Sequence, residues 1–372
     1  MPKKIRCCVM RGGTSRALFF RREDLPGAPE LQKKIFIQAM GTPDPKQVDG
    51  LGGTTSSTSK VAIVSKSSRP GFDVDYTFAQ VGVDKPIVEF SGNCGNISSA
   101  VGPFAVDEGM VNPREPITQV NIYNTNTGKK IMAEVPVKNG FFHSAGNFTI
   151  PGVIQKGSEI KLRFYQPEGA MTGKLFPTGS FIDDIEVDGS IYNVSVMDCT
   201  NPYVFVDASR LGLKGTEPPE VLDRTAAFNV MQKIRKIVGE KLGIEGEAFP
   251  KICAVSPPCS HLLRNGIELR HDEINIISRV ISMGKTHKTI PLTAALCLGT
   301  AAVVKDSIPG QNVRNLFDSI SRDNKVVKIG HPEGVIEVKV DYSYEDTHIK
   351  IESVACSRTA RRIMEGYILV DL

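Results

Sequence analysis

The stretch SGNCGNISSAVGPFAVDEGM, residues 91–110, constrains the fold of this chain more than any other feature. Cys94 stands between two Gly-Asn pairs, and Gly109 provides a stop signal. Between them, apolar residues recur at spacings of three to four, at Ile97, Val101, Phe104 and Ala105. This spacing is typical of a helix. The stretch therefore predicts a tight loop that opens a buried helix.

The predicted helix start gives Cys94 two interpretations. The first N–H groups of a helix lack intrahelical partners, and the helix dipole favours negative charge there. A thiolate or a substrate carboxylate would be stabilised at such a place. A free cysteine is also a common small buried residue. From these residues alone, a catalytic thiol and a packed thiol both stay open.

Composition narrows the class of protein. A chain of 372 residues, with 41% hydrophobic and 23% charged residues, is long enough for two ordinary globular domains. Its net charge of +4 gives no reason to expect a nucleic-acid partner. We predict no membrane partner and a cytoplasmic location, since the sequence shows neither a long apolar run nor a signal peptide. The eight cysteines are scattered, without a C-x2-C pair, so we predict reduced thiols and no metal site.

A glycine loop near the start is a candidate anion site. The segment RGGTSR, residues 11–16, separates two apolar runs and predicts a strand, a turn and a strand. The hydroxyls of Thr14 and Ser15 and the free N–H groups of such a turn can hold a carboxylate. A plain hairpin turn has the same pattern, so this alternative stays open.

A second loop leads to a lysine. Residues 49–59 are rich in glycine, serine and threonine, and Lys60 opens the apolar strand VAIV. A lysine at that place is expected to be partly desolvated, which lowers its pKa and lets it act as a base. The alternative is a solvated lysine at a strand edge.

The second half of the chain repeats the pattern of the first. Residues 226–243 predict an amphipathic helix, and residues 286–304 place Cys297 near the start of a helix of small apolar residues. The loop 169–180 is the candidate crossing between the halves. Three arginines, Arg358, Arg361 and Arg362, precede the closing strand YILV. They fit carboxylate binding or interdomain ion pairs.

Seven separated motifs together resemble the PrpF family: MRGGTS at 10–15, DGLGG with STSKVAIV at 49–64, DYTFAQV at 75–81, GNCGNISSAVGPFAVDEG at 92–109, NTNTGK at 124–129, GHPEG at 330–334 and SRTARRIMEGY at 357–367. That family contains 2-methylaconitate isomerase, methylitaconate Δ-isomerase, aconitate Δ-isomerase and oxalomesaconate tautomerase. The resemblance runs from the first predicted strand to the last. One departure is Arg16-Ala17, where relatives commonly have Lys-Gly, and it changes the geometry of a charge beside the first loop.

The resemblance implies an α+β fold of the diaminopimelate-epimerase type. Such a fold has two similar domains, each with a curved β-sheet wrapped around a central helix. We expect the first domain at 1–180, with residues 357–372 returning to it, and the second at 181–356.

The resemblance also implies an activity: a cofactor-independent isomerase that shifts or isomerises the C=C bond of an aconitate-type unsaturated di- or tricarboxylate. Lys60 and Cys94 are the implied acid–base pair. A 1,3-proton shift makes a carbanion that is delocalised into a carboxylate, so it needs a placed base and donors for the developing charge. The residues expected to bind the substrate are Thr14, Ser15, Asn93, Gly95 and Asn96, with Arg16 and Arg358 as further candidates. No metal or organic cofactor is implied.

Other functions stay open at this point. The activity of a methylitaconate Δ-isomerase or of an oxalomesaconate-type tautomerase differs only in the substrate. A two-cysteine epimerase would use Cys94 and Cys297, although in the PrpF family the second cysteine is not the partner. A non-catalytic accessory protein of an iron–sulfur dehydratase is the alternative of another class. The expected partners are a small polycarboxylate, a second copy in a homodimer, and a functional link to an aconitase-like dehydratase.

Overall fold

A computed structural model of the chain describes residues 2–244, 246, 248–316, 324–345 and 348–371. The chain divides into two compact units. The first unit comprises Met1–Arg163 and Ser357–Leu372, and the second comprises Phe164–Cys356. The domain bounds expected from the sequence, 1–180 and 181–356, stay a prediction. Among the described residues, no helix combines the length and the apolar character needed to cross a membrane.

The first unit contains most of the motifs that carried the resemblance. Its elements along the chain are β1 Lys3–Gly12, β2 Ser15–Arg21, α1 Pro29–Met40, β3 Lys60–Lys66, β4 Val74–Val81, β5 Val88–Glu89, α2 Gly95–Asp107, β6 Ile117–Asn124, β7 Lys129–Lys138, β8 Phe141–Phe142 and β9 Ile160–Tyr165. Further along the chain, the second unit contains β10 Asp183–Val187, β11 Ser190–Cys199, β12 Asn201–Asp207, α3 Pro219–Leu222, α4 Ala226–Leu242, β13 Lys251–Ser256, β14 His261–Leu262, β15 Glu268–Leu269, β16 Ile276–Ser282, β17 Lys285–Thr286, α5 Leu292–Val303, α6 Ile308–Asn312, β18 Asn324–His331, β19 Gly334–Glu345 and β20 His348–Arg358. The last two residues of β20, Ser357 and Arg358, and the closing strand, β21 Ala360–Val370, belong to the first unit.

The sheet of the first unit runs through the paired strands β21, β1, β2, β3, β4, β6 and β7. The pairs β2–β3 and β4–β6 are parallel and the others are antiparallel. The apolar run in β2 is continuous because neighbouring side chains point to opposite faces and both faces are covered. Phe20 packs on Phe36 of α1, with ring centroids 5.7 Å apart, while Phe19 packs on Phe104 of α2 at 5.3 Å.

Helix α2 is the central helix of the first unit. Its residues from Gly95 to Val106 are all buried, and it packs against β1, β2, β3, β6, β7 and β21. Gly102 lets the helix approach β7 closely, since a Cβ at this position would lie 2.7 Å from Cγ2 of Val135. The helix predicted from the 91–110 stretch is confirmed, and Gly109 adopts the left-handed conformation, with φ of +66°.

The second unit repeats this plan. Its sheet contains β10–β13, β16, β18, β19 and β20, and every residue of α5 is buried against β11, β12, β18 and β19. Helix α4 covers the other face with one apolar stripe, because Met231, Ile234 and Val238 pack into the core cluster of β10–β13. The run INIISRVIS, which fits a helix or a strand, forms strand β16. Each unit is thus a sheet around a buried central helix, as the predicted fold class requires.

Candidate active site

The β1–β2 turn touches the first turn of α2 because two glycines allow it. A Cβ at Gly12 would lie 2.4 Å from the Asn96 carbonyl oxygen, and one at Gly13 would lie 2.2 Å from Asn96 Oδ1. Gly13 also has φ of +51°, a conformation that residues with side chains rarely adopt. Across this contact the Asn96 amide nitrogen donates to Thr14 Oγ1 at 3.1 Å. The structure thus brings together two of the residues predicted to bind the substrate.

Arg358 reaches the same helix start from the end of β20. Its side chain is buried, and its Nε donates to Asn96 Oδ1 at 3.2 Å. The Asn96 amide therefore links Thr14 to Arg358. A guanidinium beside a helix N-terminus makes this corner attractive to a carboxylate.

The other two arginines of the predicted cluster lie elsewhere. The closing strand β21 begins at Ala360, so Arg361 and Arg362 are inside the strand and do not precede it. Arg361 donates to the Gln155 side chain, and Arg362 binds Glu108 at the C-terminal end of α2. The expectation of three neighbouring guanidiniums in front of the strand was wrong.

Cys94 is the N-cap residue of α2, with φ of −110° and ψ of 99°, and its side chain is partly exposed. Its carbonyl accepts the N–H of Ser98 at 2.9 Å and the Ser98 hydroxyl at 3.1 Å. Asn93 is buried, and its Oδ1 accepts the same hydroxyl at 3.2 Å and Nδ2 of Asn124 at 3.5 Å. Gly95 and Asn96 provide N–H groups of the first turn, which by helix geometry lack an intrahelical acceptor.

Lys60 is buried at the start of β3, although the solvated alternative was open from sequence. The β3–β4 register sets Lys60 opposite Gln80, and Nζ donates to Gln80 Oε1 at 2.5 Å. Nζ also lies over the Phe78 ring, 5.1 Å from its centroid. Burial lowers the pKa of Lys60, and negative charge on Cys94 partly raises it again. The lysine and the cysteine therefore lie within electrostatic reach of each other.

Ser15 and Arg16 lie at the start of β2, next to the loop that leads to Lys60. Ser15 is buried where β2 begins, paired with Gly12. The backbone N–H of Arg16 donates to the Ser57 carbonyl at 2.9 Å, and its Nη2 donates to the Leu51 carbonyl at 3.1 Å. Arg16 thus ties the β1–β2 hairpin to the loop that delivers Lys60.

Sequence reasoning missed the polar residues of β4 that line this site. Gln80 binds Lys60, and Tyr76 lies four residues earlier on the same face of the strand. The Tyr76 hydroxyl is buried and interacts with the Ser98 side chain. Burial, then the nearby Cys94, raises the pKa of Tyr76 well above its usual value, so its proton stays on the oxygen. The motif DYTFAQV contains both residues, but only the β3–β4 register shows what they face.

Cys297 lies in the second unit, in the middle of α5 and not at its start. The helix begins at Leu292, and the Cys297 thiol is fully buried, with the Met197 carbonyl 3.7 Å from its sulfur. Burial raises the pKa of this thiol well above its usual value. The chemical environment of Cys297 is that of a packed thiol.

The two units, each a sheet around a buried central helix, place this chain among the proteins of the diaminopimelate-epimerase-like fold. A solved hydroxyproline epimerase from Agrobacterium vitis shares the fold, with a TM-score of 0.58 at 10% identity, covering 100% of this chain and 95% of that one. A solved methylitaconate-delta-isomerase is much more similar, with a TM-score of 0.79 and 39% identity over 99% of this chain and 96% of that one.

Sequence comparison gives the family. The family model described as PrpF protein matches residues 2–371. The 3-methylitaconate isomerase of Eubacterium barkeri is 40% identical, covering 99% of this chain and 97% of the relative. The 2-methyl-aconitate isomerase of Shewanella oneidensis is 36% identical, with the same coverage of 99% and 97%. The chain belongs to the PrpF family, as the sequence motifs predicted.

Proposed function

We propose that this protein is a cofactor-independent isomerase that moves the C=C bond of an aconitate-type unsaturated di- or tricarboxylate by 1,3-proton transfer. The isomerase class follows from the family. Support for the chemistry comes from one observation above all. The Lys60 amine is buried, its hydrogen-bond partner among the described residues is neutral, and it lies within electrostatic reach of Cys94 at a helix start.

In this proposal Lys60 and Cys94 divide the two proton transfers. One of them removes a proton from the carbon next to the double bond, and the electron pair spreads through the C=C bond into a carboxylate. The other returns a proton to the far end of the same three-carbon unit, so no covalent bond to the enzyme forms. A lysine with a lowered pKa suits this exchange because its proton comes off more readily than that of a solvated lysine.

The carboxylates of the substrate need donors that are already in place. Gly95 and Asn96 offer N–H groups of the first turn of α2, and the charge that develops in the dienolate would be stabilised there. Thr14 and Arg358, both linked to Asn96, would hold a second carboxylate. Asn93 acts through the cap, since its side chain binds the Ser98 hydroxyl. We assign Ser15 and Arg16 to the support of the hairpin and of the loop before Lys60.

The substrate within this class is best sought among the acids of the relatives. The E. barkeri relative is named for 3-methylitaconate and the S. oneidensis relative for 2-methyl-aconitate. These acids differ by little more than one carboxylate or methyl group, which changes binding by only about 1–3 kcal/mol. A cytoplasmic location, a homodimer and a link to an aconitase-like dehydratase stay predictions from the sequence.

The purified protein should be incubated in D2O with methylitaconate, 2-methylaconitate, cis- and trans-aconitate and oxalomesaconate, and followed by NMR. We expect one acid to isomerise with deuterium incorporation at the allylic carbon. Cys94→Ser and Lys60→Ala should each lose about 10²–10⁴-fold in kcat. Cys259→Ser, which changes an exposed thiol, is the matched control and should keep full activity. The assignment is wrong if both site variants turn over the accepted acid at the wild-type rate.

A further inference from the structure

Gln80 is oriented in one way only by its hydrogen bonds. Its Nε2 faces the carbonyl oxygens of Ser56, Ser59 and Val81, at 3.1, 3.0 and 3.2 Å. A carbonyl oxygen only accepts, so the NH2 group must be on this side. Oε1 is then fixed on the other side, where Lys60 Nζ donates to it.

The same three carbonyls also restrict the movement of the Gln80 side-chain amide. Ser56 and Ser59 belong to the loop that delivers Lys60, whereas Val81 follows Gln80 on β4. One buried side chain therefore joins the loop, the strand and the lysine amine. If Gln80 moved, its hydrogen bonds to these carbonyls and to the lysine amine would be lost together.

Lys60 forms no ion pair with any residue that the structure describes. On β4 it meets Gln80, which is neutral, and the face of the Phe78 ring. The titratable group that acts on it from α2 is the thiol of Cys94. Tyr76 is a titratable side chain of β4 on the same face, and it keeps its proton because burial and Cys94 raise its pKa. No carboxylate among the described residues compensates the ammonium.

We propose that Gln80 is a positioning residue: its carboxamide aims the Lys60 amine and, because it is uncharged, leaves that amine free to gain and lose a proton. The inference rests on the proposed function of Lys60 and Cys94 and adds a third residue to it. An acidic side chain at position 80 would stabilise the charged form of Lys60. A side chain without a hydrogen-bond acceptor would leave the orientation of the amine unfixed.

Two variants test how Gln80 acts on the titration of Lys60, because only one of them should raise the pKa of the lysine. Gln80→Glu sets a carboxylate beside Nζ, and an opposite charge at this range raises a lysine pKa by about 1–3 units. Gln80→Met keeps the length of the side chain but removes the acceptor that stabilises the ammonium, so the pKa should fall or stay unchanged. The control Gln119→Glu adds the same charge on an exposed position of β6 and should leave the titration of Lys60 unchanged.

The measurement is the pH dependence of kcat together with ¹³C NMR of lysine labelled at Cε, with the Lys60 signal identified by its absence in Lys60→Arg. The plot of kcat against pH has an acidic and an alkaline limb, and the titration of Lys60 controls one of them. In Gln80→Glu the midpoint of that limb should move up by about 1–3 pH units. The acidic limb moves if Lys60 is the base, and the alkaline limb if it is the acid. In Gln80→Met we expect kcat to fall about tenfold or more, with KM changed less than about threefold.

The inference is wrong if Gln80→Glu folds but shows the wild-type pH profile of kcat and the wild-type pKa of Lys60. If Gln80→Glu does not fold, Gln80→Met decides: a lower melting temperature with wild-type kcat would mean a purely structural role. Loss of turnover in Cys94→Ser and Lys60→Ala would still support the proposed function in either case. Full turnover in those two variants would refute that function first, and the role of Gln80 with it.

Discussion

Glu108 closes the central helix of the first unit, and its replacement by glutamine should destabilise the protein strongly without touching the active site. Its side chain is 4% exposed and lies among three guanidiniums. Arg362 Nη2 is 2.8 Å from Oε1, Arg6 Nη2 is 3.2 Å from Oε2, and Arg21 Nη1 is 3.9 Å from Oε2. Glutamine keeps the shape but removes the charge that these arginines share.

The size of the loss in stability depends on how far water solvates each of the three arginines. The Arg362 side chain is 20% exposed, and its charge-assisted hydrogen bond to Glu108 is worth about 1.5–3 kcal/mol. Arg6 and Arg21 are 42% and 30% exposed, so water screens their pairs, which contribute about 0.2–1 kcal/mol each. Removing a carboxylate from a helix C-terminus increases stability by about 0.5 kcal/mol, because the helix dipole disfavours negative charge there. The net loss in the free energy of unfolding is about 1.5–4.5 kcal/mol.

Urea denaturation followed by circular dichroism measures this loss, and calorimetry should show a fall in Tm of about 3–18 °C for a unit of this size. Glu365→Gln is the matched control, since Glu365 also binds Arg362 but its side chain is 65% exposed; we expect a change below about 0.5 kcal/mol. The turnover of Glu108→Gln should equal that of the wild type, because α2 places Glu108 about 20 Å from Cys94. A free energy of unfolding equal to that of Glu365→Gln would refute the reasoning.

Three further predictions test packing, the second cysteine and pH. Gly102→Ala should cost about 1–3 kcal/mol of stability, because its Cβ would lie 2.7 Å from Val135 Cγ2, whereas Gly27→Ala, with nothing within 4 Å, should be neutral in urea denaturation. Cys297→Ser should keep wild-type kcat while losing about 1–3 kcal/mol, since it buries a hydroxyl in α5; a loss of turnover in the folded variant would favour the two-cysteine epimerase. Because burial lowers the pKa of Lys60, the limb of the wild-type kcat profile that Lys60 controls should lie below 10.5, with the neutral amine present above it; a midpoint at or above 10.5 would contradict this.

Local patterns in the sequence predicted the elements that build the candidate site. The helix after Cys94 follows from its apolar spacing, the β1–β2 hairpin from its glycines, and the strand at Lys60 from the run VAIV. These signals work because each depends on residues within about ten positions. The run at β16 was ambiguous between helix and strand, since both of its faces are buried and periodicity is then lost.

Signals that depend on distant residues were not visible in the sequence. The closing strand extends back to Ala360 because β1 pairs with it along its whole length, although Arg361 and Arg362 interrupt the apolar pattern. The role of Gln80 depends on the register that sets it opposite Lys60, and one step of slip would turn it to the other face. Likewise α5 starts at Leu292, so Cys297 lies deeper in the helix than the loop before it suggested.

The candidate site is assembled by polar contacts between segments that are far apart in the chain. Asn96 joins Thr14 to Arg358, and Gln80 joins Lys60 to its own loop. Beside these amides lies the buried Tyr76 hydroxyl, which interacts with the Ser98 side chain of α2. Asn96 and Gln80 thus fix the positions of Arg358 and Lys60 in the candidate site, although their own segments are distant in the chain.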